Sequence, residues 1–186
     1  MDTRAIEKFM YPNLLFPLCF TGSIFLSSLF GLILVFCNDT FEGSVFGGCL
    51  FLLAGSMFLF YALVYYEFKV YRDRIEAYKA NGELESLAAE FRDAQESFCK
   101  GRMRLGSRHI FVKGESKVFA YEDILTIEIR VIREENQVCL YLSQKDHAFQ
   151  DPLRSVKWRQ KDGELQDAIS AIVARNPEIK VVRTQM

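Results

Sequence analysis

The chain has 186 residues, 50% of them apolar and 25% charged, with a formal net charge of −1. Near neutrality excludes the broad basic footprint of a nucleic-acid-binding protein, and five cysteines and two histidines at scattered positions make neither a disulfide framework nor a zinc cluster. The averages conceal a partition, because only eight of the formal charges fall in the first 70 residues.

After a short polar N-terminus, residues 1–13, two apolar stretches follow back to back, Leu14 to Cys37 and Val45 to Tyr66. Neither contains Asp, Glu, Lys, Arg or His. Each exceeds the roughly 20 residues that a helix needs to cross about 30 Å of hydrocarbon. The spacing therefore predicts two transmembrane helices, 14–37 and 45–66, joined by a short external loop, 38–44. The first run is well past the 7 to 15 or so apolar residues of a cleaved signal sequence, and Val35-Phe36-Cys37 is a poor cleavage site.

Basic residues flank the hairpin on both sides and are missing from its loop. Arg4 and Lys8 precede the first span, Lys69, Arg72, Arg74 and Lys79 follow the second, and the loop carries only Asp39 and Glu42. The positive-inside bias predicts a multi-pass protein of the cell membrane with both termini in the cytoplasm. Tyr11, Tyr61, Tyr65 and Tyr66 suit the aromatic belt at the interface. Cys37 and Cys49 bracket the loop and read as separate apolar fillers, while Asn38-Asp39-Thr40, a glycosylation triplet squeezed between spans, reads as incidental. No ionisable group lies inside the spans, which argues against a transporter, proton relay or voltage sensor.

Ser23, Ser27 and Gly31 recur every four residues in the first span, and Gly48 and Gly55 share a face of the second. Such small-residue stripes let helix backbones approach closely. The preferred expectation is that they pack the hairpin against itself; the alternative is that they join two hairpins into a homo-oligomer.

Residues 67–100 read as a cytoplasmic helical linker interrupted at Asn81-Gly82, a helix stop. The second helix is expected from Glu83 to Phe98, with Leu84, Leu87, Phe91, Ala94 and Phe98 at spacings of 3, 4, 3 and 4. From Gly101 the period changes. Met103 to Leu105, Ile110 to Val112 and Val118 to Tyr121 read as short strands. The clearest strand, Ile124 to Arg133, alternates Leu125, Ile127, Ile129 and Val131 against Thr126, Glu128 and Arg130, predicting one face on a core and one in water. After the turn Glu134-Glu135-Asn136, the run Gln137 to Leu142 alternates again through Val138, Leu140 and Leu142. A last helix, capped by Asp162 or Gly163, presents Leu165, Ile169, Ile172 and Val173 on one face and ends at Asn176-Pro177.

The expected fold is thus a membrane α-helical hairpin plus an α+β cytoplasmic domain, residues 101–186, an antiparallel half-barrel with a flanking amphipathic helix and a C-terminal capping helix. The Met103-to-Val112 strand pair, the segment Val118-Phe119-Ala120-Tyr121-Glu122-Asp123-Ile124 and the helix before Asn176-Pro177 carry a resemblance, over roughly Leu84 to Ile179. This part of the chain resembles the bacterial pleckstrin-homology-like (PH-like) domains of YcxB-like type found in small two-pass membrane proteins. The resemblance implies a fold and a setting at the bacterial inner membrane; it implies no catalytic residue.

No motif in the chain calls for a catalytic residue, a metal or a cofactor, and a non-enzymatic protein is expected. His109 and the acid pairs Glu122-Asp123 and Glu134-Glu135 read as surface groups. Trp158, between Lys157 and Arg159, is either a membrane-surface anchor or a core residue under the last helix. One feature points to a partner: Lys100, Arg102, Arg104, Arg108, Lys113 and Lys117 are opposed in their run only by Glu115. On one face they would attract anionic lipid head groups or a membrane protein partner, each cation contributing about 1 kcal/mol toward lipid; alternatively the acidic side of the preceding helix neutralises them. Nucleic acid is not expected as a partner, since no stacking aromatics interleave with this run. Two function classes follow: a membrane-anchored binding or scaffold module, and a membrane-embedded accessory or immunity-type subunit acting through its hairpin.

Overall fold

The computed structural model describes residues 3–37, 43–132, 137–145, 151–159 and 163–185. The chain divides into two compact units, one formed by Pro12–Asp73 and the other by Met1–Tyr11 with Arg74–Met186. The Asn38-Asp39-Thr40 triplet, the Glu134-Glu135-Asn136 turn, Asp162 and the Cys37 side chain lie outside the described residues.

In the first unit, helices α2 (Leu15–Cys37) and α3 (Gly43–Phe60) form an antiparallel pair. Both are long and apolar enough to cross a membrane, and only 17% and 11% of their most apolar windows are buried. The bulk of their side chains therefore face outward, Phe16 being 77% and Phe51 78% exposed. Such a surface is costly in water, at about 25 cal/mol per Å² of apolar area, and costs nothing in hydrocarbon. A π-helical turn, Tyr61–Tyr65, then leads into α4 (Tyr66–Ala80) without a break, the Tyr66 N–H bonding the Tyr61 carbonyl. The Tyr61 and Tyr65 rings stack with centroids 5.3 Å apart.

The second unit begins before the hairpin. Residues 4–10, where no element was expected, form helix α1 (Arg4–Met10), whose Ile6 and Met10 are fully buried. Beyond the hairpin, α4 stops at Asn81-Gly82, with Gly82 in the left-handed region that a Cβ would disfavour. Helix α5 (Glu83–Asp93) buries Leu84, Leu87, Ala88 and Phe91, a stripe one side of the helix wide. It is shorter than the apolar spacing predicts, because Glu96–Phe98 forms strand β1 instead. Phe98 is thus a strand residue, held by pairing with Met103 across the sheet.

Strands β1, β2 (Met103–Leu105), β3 (His109–Val112) and β4 (Phe119–Ala120) form an antiparallel meander, which we call sheet A. A one-turn 3₁₀ helix, Tyr121–Asp123, leads into β5 (Ile124–Ile132), which pairs with β6 (Gln137–Gln144), and β6 pairs in turn with β7 (Asp151–Arg159). Helix α6 (Gly163–Arg175) follows, and β8 (Lys180–Gln185) returns to the other side of β5. That last pairing is parallel, so sheet B is mixed rather than purely antiparallel, and eight strands rather than five or so are present among the described residues.

One core joins the two sheets and α6. Ile110 and Val112 of sheet A, Ile127 and Leu140 of sheet B, and Ile169 and Ile172 of α6 belong to it, together with Trp158. Trp158 is therefore a core residue rather than a membrane anchor. The alternation of β5 holds at Ile127, Ile129 and Val131 but fails at Leu125, which is 44% exposed. A bulge between Ile124 and Thr126 inserts one residue and puts Ile124 inward instead. The opposite face of β5 is not simply in water either, since Glu128 is buried and accepts a hydrogen bond from Thr184 Oγ1 of β8 at 2.7 Å.

Sheet A is covered on its second face as well. Arg104 and Phe111 lie opposite each other on that face, and the Phe111 ring meets Phe91 of α5 edge-on at 5.4 Å. Phe9 of α1 packs on Phe91 at 4.8 Å. The backbone is tied too: Gly114 N–H donates to the Phe9 carbonyl at 2.9 Å, and Lys79 pairs with Glu7 at 3.0 Å.

Candidate functional site

The six cations of the basic run do not form one face. A meander puts the β1–β2 and β3–β4 connections at one end of sheet A and the β2–β3 connection at the other. Lys100, Arg102, Lys113 and Lys117 belong to the first end, where Lys113 N–H donates to the Arg102 carbonyl at 2.7 Å. Arg108 belongs to the second, about 10 Å away along the strands. Arg104 lies between them and is turned under the helices, its guanidinium 4.8 Å from the Phe91 ring centroid and 5.8 Å from that of Phe9. Cation–π stacking thus takes up the charge that the sequence assigns to the patch.

At the first end the chain turns sharply through Cys99 and Lys100, whose φ values of 53° and 57° are unusual for residues with a side chain. The turn is held by Cys99 N–H donating to Glu164 Oε1 of α6 at 2.5 Å and by Arg102 N–H closing on the Cys99 carbonyl at 3.2 Å. Lys117 rests its ammonium 5.6 Å from the Phe119 ring.

The second end holds a polar lattice that sequence reasoning missed. Glu90 Oε1 accepts the backbone N–H groups of Arg108 and His109 at 2.5 and 2.8 Å, and Oε2 lies 2.6 Å from His109 Nδ1. Burial pushes the Glu90 carboxyl up, but the N–H donors and the His109 ring outweigh it and hold the group below its ordinary value. Gly106 is required here, since a Cβ would run into the Glu90 carboxylate. Its carbonyl accepts from the Tyr121 hydroxyl at 3.2 Å and from Arg175 Nε at 3.0 Å. Arg175 also pairs with Glu96 at 3.1 Å, and Asn176 Nδ2 donates to the Tyr121 carbonyl at 2.8 Å. Burial drives the Tyr121 phenol well above its usual range, so it stays a protonated donor. Five elements are thereby pinned to one turn. A cleft of about 290 Å³ opens beside it, lined by Arg108, His109, Tyr121, Lys145 and Arg175 among others.

In the hairpin the small-residue stripe is redistributed. Gly31 sits where α2 meets α3, and a Cβ there would come within 2.8 Å of Cys49 Sγ. Ser23 and Ser27 are exposed, and Gly48 and Gly55 have open space where a Cβ would be. The buried positions of α2 are instead Thr21, Ser28 and Val35, seven residues apart, with Ser56 buried on α3. Thr21 and Ser28 were within reach of a heptad reading of the first span; a four-residue repeat drifts off the contact.

Comparison with protein-family models, curated proteins and solved structures returns no match. Cys19 and Cys49 are free thiols, and no group of three or more His, Cys, Asp or Glu side chains among the described residues is arranged to hold a metal.

Proposed function

We propose that this protein is a two-pass, membrane-anchored, non-enzymatic binding or scaffold module that presents a PH-like domain at the cytoplasmic face of the cell membrane. The observation that carries this reading is the docking of α1. The peptide before the first apolar helix and the domain after the second belong to one folded unit, with Ile6 and Met10 buried in it. Such a unit needs both flanks of the hairpin in one compartment, hence an even number of crossings, and the basic flanks assign that compartment to the cytoplasm. The PH-like reading is supported by the meander of sheet A, the sharply alternating β5–β6 pair and an amphipathic α6 packed over the core; the parallel β8 is a departure from it.

The alternative, action through the hairpin surface, draws on Ser23 and Ser27, which remain exposed. Two experiments test the proposal. A C-terminal fusion is expected to be fluorescent as a cytoplasmic reporter and inactive as a reporter that requires export; the reverse pattern refutes the topology. Replacing residues 14–66 by an unrelated two-helix hairpin is expected to preserve capture of the partner by crosslinking in native membranes, whereas loss of capture with normal insertion favours the hairpin surface.

A further inference from the structure

We propose that the end of sheet A at which the chain enters and leaves the domain is a docking surface for anionic phospholipid head groups, formed by Lys100, Arg102, Lys113, Lys117 and Arg74 and excluding Arg104 and Arg108. The inference rests on the two-pass reading and goes further, by selecting one end of the domain and one lipid chemistry.

Both chain crossings of the domain boundary meet the loop 113–118. On the N-terminal side, Phe9, two residues before Tyr11, accepts a hydrogen bond from Gly114 N–H at 2.9 Å. On the C-terminal side, Arg74 Nη1 donates to Ser116 Oγ at 3.2 Å, and the Tyr78 hydroxyl accepts from Val118 N–H at 3.4 Å. This loop therefore lies where the polypeptide leaves the folded unit at both of its boundaries, and the Lys113–Arg102 backbone bond places the 99–102 turn beside it.

Charge follows the same polarity. The two connections at this end, residues 99–102 and 113–118, carry four cations and a single carboxylate, Glu115, with Glu164 of α6 bonded to the turn. The opposite end, residues 106–108 and 121–123, carries Arg108 against Glu122 and Asp123. Lys100 and Lys113 are exposed, and the turn that carries Lys100 is tied by the Cys99 N–H bond to Glu164 and the Arg102 N–H bond to the Cys99 carbonyl. A surface of this kind recognises negative charge density without a shaped pocket, which suits a bilayer rather than a small ligand.

The test uses the full chain in nanodiscs of phosphatidylcholine, with and without phosphatidylglycerol, and reads amide hydrogen exchange. Residues 99–102 and 113–118 are expected to exchange more slowly in the anionic discs, and high salt is expected to abolish the difference. Lys100→Gln and Lys113→Gln should each reduce that protection about fivefold, the ratio that corresponds to one basic residue near an anionic surface; Arg108→Gln should leave it unchanged. Equal exchange in both kinds of disc, or protection that follows Arg108, overturns the proposal while leaving the two-pass reading intact. A chain that elutes free of lipid overturns both.

Discussion

The two units differ in how far their polar side chains reach. In the hairpin, hydroxyls turn back onto their own helix: Thr21 bonds the Pro17 carbonyl at 2.8 Å, Ser28 that of Ile24 at 2.7 Å and Ser56 that of Leu53 at 2.8 Å. In the domain, polar side chains bridge between elements, Glu90 reaching the β2–β3 turn, Arg175 reaching Gly106, and Asn176 reaching Tyr121. The difference is the one expected of a hairpin in hydrocarbon and a domain in water. Hydrocarbon offers no competing donor or acceptor, so a span satisfies its polar groups locally and leaves its apolar side chains outward. A water-soluble fold must draw its apolar groups inward, and its polar bridges then fix which elements meet.

Six substitutions sharpen or break that contrast. Leu140→Ala, in the domain core, is expected to cost about 2 to 5 kcal/mol in denaturant unfolding followed by Trp158 fluorescence. Leu26→Ala, on the outer face of α2, should leave the same curve unmoved; equal losses would mean the outer face of α2 is not lipid-facing. Gly31→Val comes next, with about 1 to 3 kcal/mol of overpacking against Cys49, read as thermal stability in detergent. The matched change Gly48→Val, into open space, should be close to silent.

Glu90→Gln should cost about 1 kcal/mol, since the amide oxygen can still accept from the two backbone N–H groups while the pairing with the His109 ring is lost. The pH dependence gives the sharper reading. The folded-state pKa of Glu90 lies below its ordinary 4.5, so its stabilisation is complete above about pH 4.5 and disappears as pH falls through the lower folded value. In the Gln variant that part of the acid limb should be flat. Smallest is Ser27→Ala, expected within about 0.5 kcal/mol because the side chain is exposed; a larger loss would make it a contact position after all.

What the sequence discloses depends on whether a signal is local. The two apolar helices are legible because each is one contiguous apolar run, and β6 is legible because Val138, Leu140 and Leu142 all face the core. Leu125 misleads because a bulge is set by pairing with a distant strand and leaves no mark in the alternation. Phe98 misleads because it continues the helical spacing of α5 while its pairing with Met103 decides otherwise. The N-terminal helix did carry a signal, with Ile6, Phe9 and Met10 at helical spacing, too short to be trusted without its partner. In the basic run, neighbours in sequence are divided by the strands between them: the meander sends Arg108 to one end and Lys113 to the other, and Arg104 disappears beneath two aromatic rings. Glu90 could not have been linked to His109 by spacing, because α5 and β3 meet only in the folded domain.

The docking of α1 also has a consequence for biosynthesis. Residues 4–10 are translated before the two apolar helices, yet Phe91, which packs on Phe9, is translated only after them. At typical elongation rates that interval lasts several seconds, during which Ile6, Phe9 and Met10 form an uncovered oily patch. The earlier segment thus waits for the later one, and a product truncated before Phe91 leaves that patch uncovered.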